Sequence, residues 1–389
     1  MRSRDMFGRI MGVGAYVPPR VIENRELTAY AETDSAWIWE RTGIKRRHVM
    51  TGETTSDMAI KAAQAALADA GADPISVDLI LVSTASPDRI FPNTACRVQQ
   101  ALGAGRAWCL DLNAACTGFI AAMAMAQAQI RAGFVRTALV VAAEGLSSLI
   151  DWHDRGTCIL FGDGAGAVLL EAHEEAVFDL VMHADGSRGD ALTLSSPFAC
   201  RGFPGAAGEG QEVTGCEAGG RMPADTLGEA EGCKTGGCLP TGGSVEVVDC
   251  GVSGWEAEGC KTGGCLPAGG SAVMPYVAMD GQAIFRFAVR EIPICIRELL
   301  NGLDMAPEEI DLFLLHQANA RILKSIAKHL GLPEEKLPVN VAEYGNTSSA
   351  SIPILLAELK AAGQLERGQR LVLSGFGAGL TWGAVYLVY

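Results

Sequence analysis

The chain has 389 residues, of which 49% are hydrophobic and 20% are charged, and its formal net charge is −14. This length predicts two or three domains, and this composition excludes an intrinsically disordered protein. The acidic balance argues against a nucleic-acid partner, which requires a broad basic face. No run approaches the roughly 18 consecutive apolar residues of a membrane helix, so we expect no membrane partner.

The first 19 residues lack the pattern of a secretory signal peptide, because Gly12 and Gly14 interrupt their short apolar stretch. A protein without such a signal is expected in the cytoplasm, where cysteines persist as reduced thiols. We therefore expect a cytoplasmic protein with mostly free cysteines.

Two stretches of the chain repeat one order of predicted elements. The elements are strand 78–83, helix 117–131 and strand 138–142 in the first stretch, and strand 311–316, helix 347–361 and strand 371–374 in the second. Short β-branched runs that alternate with Ala-rich helical patterns are typical of a layered α/β fold. The repetition predicts an internal duplication, with halves near residues 1–175 and 176–389.

Each half ends in a Gly-rich segment and an apolar strand, at residues 161–170 and 375–388. A phosphate-binding glycine loop follows a strand and opens a helix, whereas these glycines lead into further strand. We therefore expect them to allow close approach of two backbones, or of a backbone and a substrate.

Residues 200–274 differ from the rest of the chain, because they hold 20 of its 47 glycines and 7 of its 12 cysteines. The 12 residues that start at Glu229 recur identically at Glu256. The repeats contain Cys233, Cys238, Cys260 and Cys265. Four thiolates could bind zinc, but the pairs have wider spacing than zinc ribbons usually show. We expect a duplicated, Gly-rich surface insertion without a metal.

Cys116 lies where an extended segment becomes a helix of almost entirely small apolar residues, in the sequence Asp111-Leu-Asn-Ala-Ala-Cys-Thr-Gly-Phe. A helix with so little polar surface is expected to be buried. The positive end of its dipole is expected to lower the pKa of the thiol and to favour the nucleophilic thiolate. The alternative is a core cysteine without a chemical role.

His316 ends a predicted strand, which is a favoured place for functional residues in α/β folds. Asn346 opens the helix of the second half, so by internal symmetry we expect it to be the counterpart of Cys116. The two helix N-termini would then face each other, and a thiol, an imidazole and an amide would converge. The alternatives are a structural core histidine and a simple helix N-cap.

Eight segments, in the same order along the chain, carry a family resemblance. They are residues 37–44, 114–119, 154–157, 161–166, 183–186, 316–319, 345–348 and 377–383. Together they resemble the β-ketoacyl-acyl carrier protein synthases III, condensing enzymes of the thiolase-like fold. The resemblance covers nearly the whole chain outside residues 200–274. It implies a duplicated, five-layered α-β-α-β-α fold that a Gly/Cys-rich insertion interrupts.

The resemblance implies an acyltransferase whose catalytic residues are Cys116, His316 and Asn346. Cys116 would accept an acyl group, acetyl in the first instance, from acyl-CoA. His316 and Asn346 would stabilise the enolate that forms when malonyl-acyl carrier protein loses carbon dioxide. Attack of this carbanion on the acyl group would start a fatty acid. No metal or organic cofactor is expected, because the thioester is the electron sink and CoA is a substrate.

The resemblance also implies binding residues. Those expected to contact CoA or the acyl chain are Trp37, Arg41, Phe91, Arg155, Gln282, Phe285 and Asn319, and those expected to form the oxyanion turn are Gly377, Ala378 and Gly379. Trp37 and Arg41 are four residues apart and would share one side of a helix, where Arg155 could join them around an adenine. Gln282 departs from the family, which usually has Asn at this position.

Carrier protein is acidic, so an acidic enzyme needs a local basic patch to receive it. Arg321, Lys324 and Lys328 are spaced to share one face of a helix, and we expect Arg286 to join them. The alternative is an ordinary solvated charged face.

Residues 91–96 resemble a segment that crosses a dimer interface and shapes the acyl pocket of the partner. We therefore expect a homodimer with two-fold symmetry, in which Phe91 influences primer length.

Two other functions are compatible with these patterns. One is a secondary-metabolism relative that uses the same three residues to acylate another acceptor. The other is a non-catalytic binding protein that has kept the fold.

Overall fold

The computed structural model describes residues 6–196 and 276–389. The predicted insertion at residues 200–274 and its four paired cysteines lie outside this part of the chain. No helix in the described ranges is long and apolar enough to cross a membrane.

Strands and helices alternate through both described ranges. The strands are β1 (Phe7–Tyr16), β2 (Arg20–Glu23), β3 (Arg46–Val49), β4 (Leu79–Ser83), β5 (Trp108–Leu112), β6 (Thr137–Glu144), β7 (Gly164–His173), β8 (Phe178–Ala184), β9 (Leu192–Thr193), β10 (Ala278–Met279), β11 (Leu312–Leu315), β12 (Arg370–Gly377) and β13 (Thr381–Val388). The helices are α1 (Asn24–Leu27), α2 (Ser35–Thr42), α3 (Thr55–Ala70), α4 (Thr94–Leu102), α5 (Gly118–Arg131), α6 (Gly281–Gly302), α7 (Ala320–Leu330), α8 (Val341–Tyr344) and α9 (Ser351–Ala361).

Two mixed sheets form the framework of the molecule. The first has the strand order β1-β7-β6-β4-β5, and the second has the order β11-β12-β13-β8. In the first sheet, β4 runs parallel to β6 with Leu79 opposite Ala138. In the second sheet, β11 runs parallel to β12 with Leu312 opposite Leu371. The order β8-β13-β12-β11 of the second sheet matches β1-β7-β6-β4 of the first, which has β5 as an additional edge strand in the described residues. This match and the equivalent parallel register confirm the predicted duplication, while the division near residue 175 stays a prediction.

The layers follow from the alternation of side chains along the central strands. Leu79 and Leu81 of β4 face the helices α5 and α9, which lie between the two sheets. Ile80 and Val82 face the opposite way and pack with the outer helices α3 and α4. In the second sheet, strand residues of β11 and β12 pack on the outer helices α6 and α7. The five-layered α-β-α-β-α arrangement is therefore present, because each buried strand has apolar residues on both faces.

Both central helices begin later than the sequence predicts. A 3-10 turn, Ala115–Thr117, precedes α5, and a second turn, Ser348–Ala350, precedes α9. The first residue of each turn is not glycine but has a positive φ, 44° at Ala115 and 50° at Ser348. A left-handed residue cannot continue an α-helix, so each turn redirects the chain sharply before the helix starts.

Candidate active site

A cavity of about 460 Å³ opens where the two halves of the fold meet. Cys116, His316 and Asn346 line it together, so the structure brings the three predicted catalytic side chains to one place. Of the other predicted residues, its wall includes Arg41, Gln282, Phe285, Arg286, Asn319, Arg321 and Gly377. The two sheets direct their strand ends to this junction, which explains why residues distant in sequence converge here.

Cys116 lies in the middle of the Ala115–Thr117 turn and is only 8% exposed. The sequence analysis expected a lowered pKa for this thiol, but the net effect of its surroundings is a raised pKa. Burial raises the pKa of Cys116 to about 12, and a hydrogen bond from the Ser348 side chain opposes this rise only in part. The negative charge of Glu144 raises the pKa further. Loss of hydration outweighs the helix terminus, so the resting thiol is protonated.

His316 directly follows β11, and its backbone N–H donates to the Ser374 carbonyl at 2.8 Å. Its ring Nδ1 lies 2.8 Å from Ser351 Oγ, which also accepts the backbone N–H of Gln317 at 3.2 Å. In this contact the Ser351 hydroxyl donates when the ring proton is on Nε2, and Nδ1 donates in the other tautomer. Burial lowers the pKa of His316 to about 3, although a hydrogen bond with the Ser348 backbone favours the protonated ring. The imidazole is therefore neutral at physiological pH.

Asn346 is held by the backbone on both sides. Its N–H donates to the Leu160 carbonyl at 2.8 Å, and its carbonyl accepts from the Gly162 N–H at 3.0 Å. Its side-chain Oδ1 accepts the N–H of Ser348 at 2.9 Å. The side chain therefore forms an Asx turn that leads into the Ser348–Ala350 turn, and it also lines the cavity. It is not the helix N-cap that the simpler interpretation expected, because Ala350 holds that position in α9. Since Oδ1 is engaged, the amide Nδ2 is the group that can donate to a ligand.

The predicted symmetry between Cys116 and Asn346 has the wrong register. Asn113 Oδ1 accepts the N–H of Ala115 at 3.0 Å, which reproduces the bond that Asn346 makes in the second half. Asn113 is therefore the counterpart of Asn346. Cys116 is the second residue of its turn, so its counterpart is Ser349. The sequence spacing alone could not show this, because the positive-φ residues that set the register were not predicted.

Glu144 is a buried carboxylate that the sequence interpretation missed. It is the last residue of β6 and is fully buried. Oε2 accepts from the N–H of Ala85 and from Ser86 Oγ, each at 3.0 Å. Oε1 accepts from Ser349 Oγ at 2.7 Å and from Ser348 Oγ at 3.2 Å. Burial raises the pKa of Glu144 to about 7, although these four hydrogen bonds lower it. The sequence did contain a signal for this buried carboxylate, because Glu144 is an acidic residue at the end of an otherwise apolar strand.

Gly377 is the counterpart of Glu144, because each is the last residue of the matching eight-residue strand. A Cβ atom on Gly377 would lie 2.9 Å from both Cβ and N of Cys116. The absence of a side chain therefore lets β12 approach the nucleophile's turn. Ala378 and Gly379 lie beyond it, where the Ala378 carbonyl accepts from Thr381 Oγ1 at 3.1 Å.

Trp37 contacts both arginines with which it was predicted to act. The guanidinium carbon of Arg41 is 5.6 Å from the indole centroid, and that of Arg155 is 5.2 Å from it. Arg155 also donates to the Glu32 carbonyl at 3.3 Å. Asn319 Nδ2 donates to the Arg41 carbonyl at 3.1 Å, which fixes α2 against the start of α7. This cationic cluster borders the cavity through Arg41, whereas Trp37 and Arg155 are not part of the cavity lining.

The basic residues predicted to receive carrier protein are exposed as expected. Arg321, Lys324 and Lys328 share the outer side of α7, and Arg286 is exposed on α6. The Arg321 guanidinium carbon lies 5.9 Å from the centroid of Phe285, at the cavity wall. Phe91 is 84% exposed and lies outside the cavity of its own chain.

The duplicated layers and the buried cysteine at their junction define a condensing enzyme of the thiolase-like fold. Residues 110–186 match the family described as 3-oxoacyl-[acyl-carrier-protein (ACP)] synthase III, and residues 300–389 match its C-terminal family. The β-ketoacyl-[acyl-carrier-protein] synthase III of Streptococcus equi subsp. zooepidemicus is 40% identical over 388 residues, with 98% of each chain covered. This chain therefore belongs to the β-ketoacyl-acyl carrier protein synthase III family, acyltransferases that initiate fatty-acid biosynthesis by condensation.

Solved structures agree with this assignment. The 3-oxoacyl-[acyl-carrier-protein] synthase III of Aquifex aeolicus is 34% identical and has a TM-score of 0.77, covering 98% of this chain and all of its own. A priming β-ketosynthase from a polyketide biosynthetic pathway is 29% identical and has a TM-score of 0.78, with 98% of this chain and 96% of the other covered.

We predict that Gly377→Ala slows acylation of Cys116 by about 10- to 100-fold, because the new Cβ displaces the nucleophile. Gly281→Ala is the matched control, since this glycine also lines the cavity but its Cβ would meet only Met279 Cε at 3.7 Å. Single-turnover measurement of acyl-enzyme mass tests both variants. Equal rates for Gly377→Ala and the unmodified protein would contradict the packing account.

Proposed function

We propose that this enzyme transfers an acyl group from acyl-CoA, acetyl-CoA in the first instance, to Cys116 and then condenses it with malonyl-acyl carrier protein. One observation carries the proposal: a single cavity is lined by a thiol, a neutral imidazole and an amide from both halves of the fold. We also propose that the enzyme works in the cytoplasm. The reaction needs no metal or organic cofactor, because the thioester carbonyl accepts the electrons at each step.

In the first half-reaction, the Cys116 sulfur attacks the thioester carbonyl and CoA leaves as a thiol. The oxyanion of the tetrahedral intermediate needs hydrogen-bond donors beside the nucleophile. Backbone N–H groups around Cys116 and in the turn formed by Gly377, Ala378 and Gly379 are proposed to supply them. The contact of Gly377 with Cys116 supports this assignment.

In the second half-reaction, His316 and Asn346 donate hydrogen bonds to the thioester carbonyl of malonyl-acyl carrier protein. The C–C bond to the carboxylate breaks, carbon dioxide leaves, and its electron pair forms an enolate. The carbanion attacks the acyl carbonyl, Cys116 leaves as a thiolate, and uptake of one proton restores the thiol. This role requires the imidazole proton on Nε2, which is the tautomer in which the Ser351 hydroxyl donates to Nδ1.

The cationic cluster beside the cavity is proposed to hold the CoA nucleotide. Trp37, Arg41 and Arg155 offer stacking and cation–π contacts for the adenine and positive charge for phosphate groups. Gln282 and Asn319 offer side-chain amides along the cavity wall for the pantetheine arm, and Phe285 offers an apolar face.

Carrier protein is proposed to dock over the exposed cations of α6 and α7. Arg286 and Arg321 stand at the cavity wall, and Lys324 and Lys328 extend the patch along α7. This arrangement places positive charge around the entrance through which a phosphopantetheine arm would pass. Such complementarity accelerates encounter more than it strengthens binding.

A homodimer is proposed from the exposed sheet edges. In the described residues, β5 pairs only with β4 and β8 pairs only with β13, so each leaves one edge without a strand partner. Apolar residues on these edges are exposed, including Trp108 at 45% and Met182 at 37%. Phe91, at 84% exposure, is suited to enter the partner's acyl pocket. A second copy would cover both features.

Priming of a polyketide is a second candidate function. The structural similarity to a priming β-ketosynthase favours it. The TM-score between that enzyme and this chain, 0.78, is similar to the 0.77 of the Aquifex aeolicus 3-oxoacyl-[acyl-carrier-protein] synthase III. Both functions use the same acyl-enzyme chemistry and differ in the primer and the acceptor.

Incubation with a panel of acetyl-, branched- and longer-chain acyl-CoA thioesters is expected to add one acyl mass to the intact protein. Cys116→Ser is expected to abolish the adduct, whereas substitution of the buried Cys158→Ser, which lies outside the cavity, should retain it. Intact-protein mass spectrometry gives the preferred primer in the same measurement. An adduct that survives in Cys116→Ser, or no adduct with any primer, contradicts the proposal.

His316→Ala is expected to retain acylation but to slow decarboxylation of malonyl-acyl carrier protein by about 10²- to 10³-fold, since an enolate donor is lost. The release of labelled carbon dioxide measures this step, and the acyl-enzyme mass measures the other. His329→Ala is the control, because this histidine is exposed on α7 and its ring contacts the Ser325 carbonyl. Decarboxylation at the unmodified rate in His316→Ala would overturn the role given to the imidazole.

Trp108→Asp is expected to convert the dimer to a monomer, because a charge on the β5 edge would be buried without a partner. Ile294→Asp is the control, since Ile294 is 51% exposed but lies on the outer helix α6. Light scattering coupled to size-exclusion chromatography reports the mass. A dimer in the Trp108 variant would rule out this edge as the interface.

A further inference from the structure

The proposed acyl transfer requires the Cys116 thiol to lose its proton, and burial opposes that loss. His316 is a poor acceptor, because burial lowers the pKa of its imidazole to about 3. Its Nδ1 is also occupied by the Ser351 hydroxyl at 2.8 Å. The proposed acyl transfer therefore needs another acceptor for the thiol proton.

Ser348 connects the thiol to a second buried base. Its hydroxyl forms a hydrogen bond with Cys116, and this bond lowers the pKa of the thiol. The same hydroxyl lies 3.2 Å from Oε1 of Glu144. The positive φ of 50° at Ser348 turns the backbone between the two groups. Ser349 also contacts Oε1, at 2.7 Å, so the carboxylate is anchored independently of Ser348.

We propose that Ser348 and Glu144 form a proton relay that removes the Cys116 proton during acyl transfer. This inference rests on the function proposed above, in which Cys116 is the nucleophile. Glu144 does not touch the reacting atoms and acts only through Ser348.

The relay conserves protons and charge. The thiol proton moves to the Ser348 oxygen while the Ser348 proton moves to Glu144 Oε1, and the sulfur electron pair forms the bond to the acyl carbon. When the C–S bond to CoA breaks, the proton returns through Ser348 to the departing thiolate. Glu144 is again a carboxylate, Cys116 carries the acyl group, and CoA leaves as a neutral thiol.

The electrostatics favour this route over direct ionisation to solvent. The buried site holds one negative charge before transfer, on Glu144, and one afterwards, on the sulfur, so no additional charge is created in the interior. Ionised Glu144 raises the pKa of Cys116 through charge repulsion. Protonation of Glu144 removes that repulsion at the step where the thiolate forms.

Few other titratable groups face Glu144. Cys116 lies across the Ala115–Thr117 turn, His316 lies beyond β11, and Asp163 lies beside the start of β7, where it accepts from Ser147 and Met50. The 84–86 loop and the Ser348–Ala350 turn contribute hydroxyl and N–H groups. No cation pairs with Glu144 in the described ranges, so its burial and hydrogen bonds set its pKa of about 7.

The relay is tested by the pH dependence of Cys116 alkylation with iodoacetamide, followed by the mass of the peptide that contains Cys116 in the full chain. Below pH 7 Glu144 is protonated and cannot accept, so the alkylation rate should rise through about pH 7 and then level off. Ser348→Ala should lose this step, react at least about tenfold more slowly at pH 8, and show a rate that keeps rising with pH as for an isolated buried thiol.

Ser349→Ala is the matched control, because it also removes one hydroxyl from Oε1 of Glu144. The Ser349 bond lowers the pKa of Glu144, so its loss should move the step to higher pH without removing it. Glu144→Gln should behave as Ser348→Ala. Glu144→Gln could fail to fold, because Ala85 and Ser86 both donate to Oε2. In that case the comparison of Ser348→Ala with Ser349→Ala still tests the relay.

An unmodified profile in Ser348→Ala would overturn the relay, and so would identical losses in both serine variants, which would indicate a packing effect. Acyl-enzyme formation is measured in parallel. If the unmodified protein alkylates with the expected step but forms no acyl-enzyme, the proposed function fails while the relay to Cys116 stands.

Discussion

Each buried helix of the central layer starts against the end of a strand from the opposite half, and the active site depends on this crossed contact. Cys116, in the turn before α5, packs on Gly377 at the end of β12. Ser349, in the turn before α9, bonds to Glu144 at the end of β6. The two contacts are equivalent positions of the duplicated fold. At these two contacts, residues of the two halves touch each other directly.

The two equivalent contacts are filled differently, and this asymmetry creates one reactive site. On the Gly377 side no side chain intervenes, so the cysteine borders an open cavity. On the Glu144 side a carboxylate and two serine hydroxyls fill the equivalent space. The same asymmetry extends one residue into each helix. Ser351 supports the His316 ring, whereas Gly118 in the matching position lies against Ser83, which leaves no room for a side chain. Each half thus contributes both reactive groups and groups that support them.

Burial makes both principal groups neutral at rest. The pKa of Cys116 is about 12 and that of His316 is about 3, and desolvation dominates in both cases. A neutral imidazole suits a hydrogen-bond donor to a developing enolate better than a general base. A protonated thiol must lose its proton before it can react, and the proposed role of Glu144 is to accept that proton through Ser348. The polar groups at the junction are buried, and hydrogen bonds are stronger in such surroundings than at the surface.

The sequence alone determined the duplicated α/β architecture and the strands 78–83 and 311–316, which follow from apolar runs of strand length and a helix without a polar face. Local patterns made Cys116, His316 and Asn346 candidates, and the family resemblance selected them as the three side chains that line the cavity. Tertiary structure decided the register of the internal symmetry, the high pKa of Cys116 and the position of Glu144. Each depends on distant segments that meet only after folding. Ser349 bonds to Glu144 across 205 residues of sequence, and no local pattern records such a contact. Loss of hydration at the junction, which raises the pKa of Cys116, likewise exists only in the folded chain.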